Sequence, residues 1–99
     1  MSYESRFKST EIDELFRAIL ALETEEDCYR FFEDICTINE IHSIAQRLHV
    51  AKLLYERKTY NEVEEITKAS TATISRVNKC LVYGADGYRR ILEKIYMRK

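Results

Sequence analysis

The chain has 99 residues, a formal net charge of −1, charged side chains at a third of its positions, no proline and two glycines, Gly84 and Gly87. That length supports one domain with a modest core and excludes two. The longest apolar run, residues 18–22, is far shorter than the roughly 20 residues of a membrane span, so no membrane partner is expected.

The N-terminal stretch carries Glu4, Arg6 and Lys8 without an apolar block behind them and does not read as a signal peptide, so the expected location is cytoplasmic. Cys28, Cys36 and Cys80 form no CxxC and cannot all pair within one chain, so they are expected as small buried hydrophobes in a reducing cytosol. Charge is unevenly divided. Residues 1–45 hold eleven acids and four bases, net −7, whereas residues 46–99 hold six acids and twelve bases, net +6. Such asymmetry points to a polyanionic partner for the second half.

With almost nothing to break the backbone, helix is expected throughout. Residues 1–8 read as a polar lead-in. Ile12, Leu15, Phe16, Ile19 and Leu20 then recur at the spacing of an amphipathic helix. Thr24 followed by Glu25, Glu26 and Asp27 is a cap with acids in the first turn, and Cys28, Phe31, Phe32, Ile35 and Cys36 make a second stripe. Thr37 and Glu40 have capping-box spacing and open a third helix. It carries Ile41, Ile44, Ala45, Leu48, Ala51 and Tyr55 on one face and Val50, Leu53 and Leu54 on a second. An apolar arc that wide has to be covered on two sides, which points to a partner subunit. Thr59 and Glu62 form another capping box before a short helix expected to bury Val63 and Ile66. Ser70 caps the next helix, whose inner face is Ile74, Val77 and Leu81. Both glycines are expected to serve the turn at 83–88. A last helix carries Ile91, Leu92, Ile95 and Tyr96 and ends in basic Arg98 and Lys99. The expected class is all-α, about six helices, without a strand.

Residues 59–82 have the apolar arithmetic of a helix-turn-helix, whose second helix enters a major groove N-terminus first. At about 100° per residue, Ala72, Ser75, Arg76 and Lys79 fall opposite Ile74, Val77 and Leu81. No acid occurs between Ser70 and Ala85. Small side chains allow close approach to base edges, threonine and alanine methyls meet thymine methyls, hydroxyls meet phosphate or bases, and arginine takes guanine. Double-stranded DNA is therefore the expected partner, with Tyr60, Asn61, Lys68, Ser70, Thr71, Ala72, Thr73, Ser75, Arg76 and Lys79 as candidate contacts. Two local features depart from the common motif. Lys68 stands at the turn position usually held by glycine, where positive φ would strain it. Glu64 stands where a small residue is preferred.

Residues 60–76, ending Ala69-Ser70-Thr71-Ala72-Thr73-Ile74-Ser75-Arg76, resemble the DNA-reading helices of the Trp repressor family. The likeness continues upstream through residues 37–48, and with residues 28–32 and the 83–88 turn it more nearly resembles the YerC/YecD-type Trp-repressor-like proteins. It covers about residues 10–97. The resemblance implies a single Trp-repressor-like domain over 1–99 and an intertwined homodimer, with dimerisation helices at about 10–57 and 86–97. It also implies operator binding in transcriptional control. The family's corepressor-gripping arginines match Arg47 and Arg76. Its pocket glycine matches Val77 and its ligand-holding serine matches Cys80. A β-branched side chain in the slot and a lost hydroxyl argue against tryptophan as a corepressor, and no effector is assigned. Arg47 and Arg76 are alternatively placed to pair with acids such as Glu40 or Glu64, or to meet phosphate.

No nucleophile motif, P-loop or GxGxxG occurs, so neither an enzyme nor a cofactor is expected. His42 and His49, two helical turns apart, read as surface or dimer-contact histidines and no metal site is expected. The rival reading is a helix-turn-helix module that binds protein and not DNA. Such a module should carry large apolar residues where this chain has Ala72, Ser75, Arg76 and Lys79.

Overall fold

A computed structural model of the chain describes residues 3–96, all α-helical with no strand among them. The helices are α1 (Thr10–Leu20), α2 (Glu25–Ile35), α3 (Ile38–Tyr55), α4 (Tyr60–Thr67), α5 (Thr71–Tyr83) and α6 (Gly87–Ile95). The expected class and the six elements are both present. Arg98, Lys99 and the end of the segment expected at 86–97 lie outside the described residues. No described helix is long and apolar enough to cross a membrane.

The chain forms two compact units, divided after Thr37. In the first, Ser9 caps α1 by accepting from the Ile12 N–H at 3.1 Å, and Thr24 caps α2 by accepting from the Asp27 N–H at 3.0 Å. The Asp27 carboxylate in turn accepts from the Glu23 N–H at 3.1 Å, so two otherwise unpaired donors at the entry to α2 are satisfied. Both helices carry the expected stripes, yet neither has a buried residue, and Leu20 is 82% exposed.

The second unit holds the core: Val50, Ala51, Leu53, Val63, Ala69, Ile74, Val77 and Leu92, with Leu48, Leu54, Tyr55, Leu81 and Tyr88 packed against it. Each fully buried aliphatic side chain of this kind contributes roughly 1.5–3 kcal/mol. α3 is the shared wall on which α4, α5 and α6 pack. Its end is a Schellman motif: Lys58 N–H donates to the Leu53 carbonyl and Arg57 N–H to the Leu54 carbonyl, with Arg57 left-handed at φ 71°.

Four expectations are corrected here. The core draws on both faces of α3, Ala51 of the first and Val50 and Leu53 of the second, whereas Ile44 and Ala45 of the first face are exposed and border open depressions. Ile66 is 52% exposed, and Val63 is the one residue of α4 that is buried. The cysteines are not buried: Cys28 and Cys80 are exposed and Cys36, the cap residue after α2, is half-buried. The glycines do not supply left-handed turns. Asp86, at φ 70°, is the left-handed residue, and Gly84 is required for another reason: a Cβ there would overlap the Cys80 carbonyl oxygen, to which the Gly84 N–H donates at 2.8 Å.

Candidate nucleic-acid interface

α4 and α5 are joined by Lys68, Ala69 and Ser70 alone, and their geometry follows from local chemistry. The α4 N-terminus is a full capping box: the Glu62 carboxylate accepts from the Thr59 N–H at 2.8 Å, and the Thr59 hydroxyl accepts from the Glu62 N–H at 3.1 Å. The bond from the Thr59 backbone, followed by that from its hydroxyl and the Lys58 charge, holds the Glu62 carboxyl below the usual glutamate value against a smaller opposing effect of desolvation. At the other end Lys68 is left-handed, φ 63° and ψ 15°, and its N–H donates to the Glu64 carbonyl at 2.8 Å. The turn position that favours glycine thus holds a lysine. Thr67 stitches the corner, its hydroxyl donating to the Val63 carbonyl at 2.7 Å and accepting from the Ala69 N–H at 3.1 Å. Gln46 of α3 donates to the Thr67 carbonyl at 3.2 Å, fixing the corner to the shared wall. Buried Ala69 then carries the chain to Ser70, whose hydroxyl caps α5 by accepting from the Thr73 N–H at 3.1 Å.

On α5 the two faces separate as the spacing predicts. Ile74 and Val77 are buried, whereas Thr71, Ala72, Ser75, Arg76 and Lys79 are exposed. Tyr60 and Asn61 are exposed at the start of α4, and Lys68 is exposed on the turn. Thr73 differs from its neighbours. It is half-buried, and its hydroxyl accepts from that of Ser70 at 3.1 Å, so both hydroxyls already serve the cap. Among the described residues, no ion pair engages Lys68, Arg76 or Lys79, nor Arg47. Their charges are not spent internally. Asn61, Glu64, Glu65 and Lys68 border one shallow depression on α4, which places two acids beside the turn lysine.

Of the effector candidates, Arg47 and Cys80 share a cavity of about 510 Å³ between α3, α5 and α6, together with Ile44, Leu48, Ala85, Gly87, Tyr88 and Ile91. Arg76 and Val77 are not on its wall. Val77, assigned from the sequence to fill this space, faces the core, and the bulky side chain at the cavity is Tyr88. His42 and His49 are exposed around a separate depression with Asn39 and Gln46, and among the described residues no three acids, cysteines or histidines are grouped to hold a metal ion.

Sequence reasoning passed over two features. Arg57 and Lys58, both exposed, lead directly into the α4 cap, and the signal for them was a basic pair abutting a capping box. Tyr88 was read only as part of a turn.

The model of the family described as Trp repressor protein matches residues 10–96. The uncharacterized protein YerC of Bacillus subtilis (strain 168) is 54% identical over 90 residues, which are 91% of this chain and 86% of that protein. The crystal structure of a TrpR-like protein from Eubacterium eligens ATCC 27750 superimposes with a TM-score of 0.89 at 52% identity, covering 95% of this chain and 97% of that one. A Staphylococcus aureus structure, provisionally described as a Trp repressor, gives a TM-score of 0.89 at 48% identity over 95% of this chain and 94% of its own.

Proposed function

This chain belongs to the Trp repressor family, and from that premise we propose that it is a DNA-binding transcriptional repressor, a homodimer that reads operator major grooves with α5 and does so without tryptophan. The observation that carries the reading is the division of α5: a buried Ile74–Val77 edge beneath an exposed, acid-free face of small, hydroxylic and basic side chains.

Roles follow from chemistry. Arg76, exposed and without an ion pair among the described residues, is the base-reading candidate, since a guanidinium presents two parallel donors to guanine. Thr71, Ala72 and Ser75 permit close approach and meet methyl groups or phosphate. Lys68 and Lys79, with Tyr60 and Asn61, hold the phosphate backbone on either side, and Arg57 and Lys58 extend that grip. Ser70 and Thr73 act chiefly by capping α5 and presenting its first-turn N–H groups to a phosphate.

The dimer is supported by the apolar side chains that a single protomer leaves uncovered, including Leu20, Ile38, Ile44 and Tyr83. We read 10–57 and 86–97 as the dimerisation helices. Two-fold docking requires recognition helices roughly 34 Å apart, a geometry for which the Trp repressor is itself a standard example. The Tyr88 ring on the wall of the Arg47–Cys80 cavity, and a cysteine at the position matched to the ligand-holding serine, support independence from tryptophan.

The test is fluorescence anisotropy of labelled genomic duplexes against salt. A steep loss of affinity with rising salt is expected, because phosphate contacts release counterions. Salt-independent or absent binding would overturn the assignment and favour a protein partner.

A further inference from the structure

α6 ties the recognition helix to the shared wall. Its Leu92 is fully buried in the core, and Tyr55 at the end of α3 donates to Glu93 at 2.6 Å. The Lys52 ammonium stands 5.0 Å over the Tyr96 ring. On the other side, the Arg89 guanidinium donates to the Leu81 carbonyl at 3.4 Å, near the C-terminal end of α5, where a cation suits the helix dipole. Arg89 also pairs with left-handed Asp86 at 3.7 Å, and the tight Gly84 closure leaves that junction little slack.

Tyr88 sits at the meeting point. Its half-buried ring packs against the core and lines the cavity whose apolar wall is Ile44 and Leu48 of α3 and Ile91 of α6. Burial pushes its phenol above the usual tyrosine value, the Arg47 and Arg76 charges oppose that shift, and Cys80 adds to it. Arg47 of α3 and Cys80 of the recognition helix thus share one cavity wall with this α6 side chain.

We propose that Tyr88 is a positioning residue: its ring is the chain's own wedge between α3, α5 and α6, and it holds the recognition helix in its DNA-reading pose without a small-molecule effector. This rests on the reading of α5 given above. A helix held at its C-terminal end by an adjacent strut transmits any loss of packing there to the exposed face that carries Arg76 and Lys79. A ring supplied in cis makes that pose constitutive, and removing the ring leaves a space that a free phenol of the same shape can enter.

The experiment compares wild type with Tyr88→Phe, Tyr88→Leu and Tyr88→Ala in the full chain. Affinity for a bound fragment and amide exchange in α5 relative to α4 are read without and with millimolar p-cresol. Tyr88→Phe should behave as wild type. Tyr88→Leu and Tyr88→Ala should exchange faster over residues 77–83 with α4 unchanged. Tyr88→Ala should lose about tenfold in DNA affinity, equivalent to about 1.4 kcal/mol, and p-cresol should recover much of it while leaving wild type unaffected. If Tyr88→Ala fails to fold, Tyr88→Leu decides: protection of α5 and DNA affinity equal to wild type would overturn the proposal. So would a folded Tyr88→Ala protein with wild-type affinity, or one that is weakened but not restored by p-cresol. If wild type binds no DNA, the reading of α5 fails, and the exchange pattern alone still decides whether Tyr88 holds that helix.

Discussion

Lys68 donates its backbone N–H to the Glu64 carbonyl at 2.8 Å while its own backbone stands at φ 63°. That bond closes α4 and aims the chain into α5, and it requires a left-handed residue, which costs a side chain with a Cβ about 1–2 kcal/mol. A glycine would serve the turn without that cost, and under the proposed function a phosphate contact of the lysine charge offsets it. Lys68→Gly is therefore expected to raise unfolding stability by about 1 kcal/mol and to lower DNA affinity, with the logarithmic salt slope shallower by about 1. Urea melts and salt titrations of the same variant check both halves. Unchanged affinity would remove Lys68 from the interface.

Much of this was legible in the sequence, because caps and helical periodicity are local. Thr24, Thr59 and Ser70 cap as their spacing indicates, and Ile74 and Val77 are buried opposite Arg76 and Lys79. What was missed depends on tertiary context. Which side chains of the wide apolar arc of α3 meet the core is decided by where α4, α5 and α6 pack, and buried Ala51 and exposed Ile44 satisfy the same helical period. Gly84 was legible as a turn residue, but its close approach to the Cys80 carbonyl exists only once the junction between α5 and α6 has formed. Tyr88 gives no signal in the sequence, since its neighbour Arg47 is distant in the chain and Cys80 lies on the far side of the turn.

The core should respond to burial and not to hydrophobicity alone. Ile74→Ala removes a side chain that is 1% exposed and should cost about 2–5 kcal/mol. Ile66→Ser, three residues beyond the buried Val63, should stay within about 0.5 kcal/mol of wild type. Denaturant unfolding of both separates the inward line of the helix-turn-helix from its outer surface.

The two glycines should give opposite results. Gly84→Ala places a Cβ on the Cys80 carbonyl and should lose about 1–3 kcal/mol. Gly87, the first residue of α6, has no such neighbour, and Gly87→Ala should gain about 0.5–1 kcal/mol. Thermal melts of the pair test whether close approach, and not left-handed backbone, is what the turn demands.

The strut carries a pH signature. The bond from the Tyr55 hydroxyl to Glu93, followed by desolvation and the Glu93 charge, raises the phenol above the usual tyrosine value. The folded chain then keeps this proton to higher pH than the unfolded chain, whose tyrosines titrate near pH 10. The contribution is complete below about pH 10 and disappears as pH rises through the raised folded value. The stability of wild type should therefore fall relative to that of Tyr55→Phe across that alkaline window, as read by denaturant unfolding at successive pH values. Parallel profiles for the two proteins would show that the Tyr55–Glu93 bond does not link α6 to α3 in solution.

The most direct measurement on α5 is selection of fragments from a genomic DNA pool by the purified protein, with and without tryptophan, using wild type, Arg76→Ala and Lys79→Ala. Wild type should enrich a two-fold symmetric sequence in the absence of tryptophan and be indifferent to its addition. Arg76→Ala should lose about 1–3 kcal/mol of discrimination at one base position of each half-site, and Lys79→Ala should weaken all sequences alike, both with helicity intact. Enrichment of no sequence, or the same affinity and motif in both variants, would contradict DNA reading by α5.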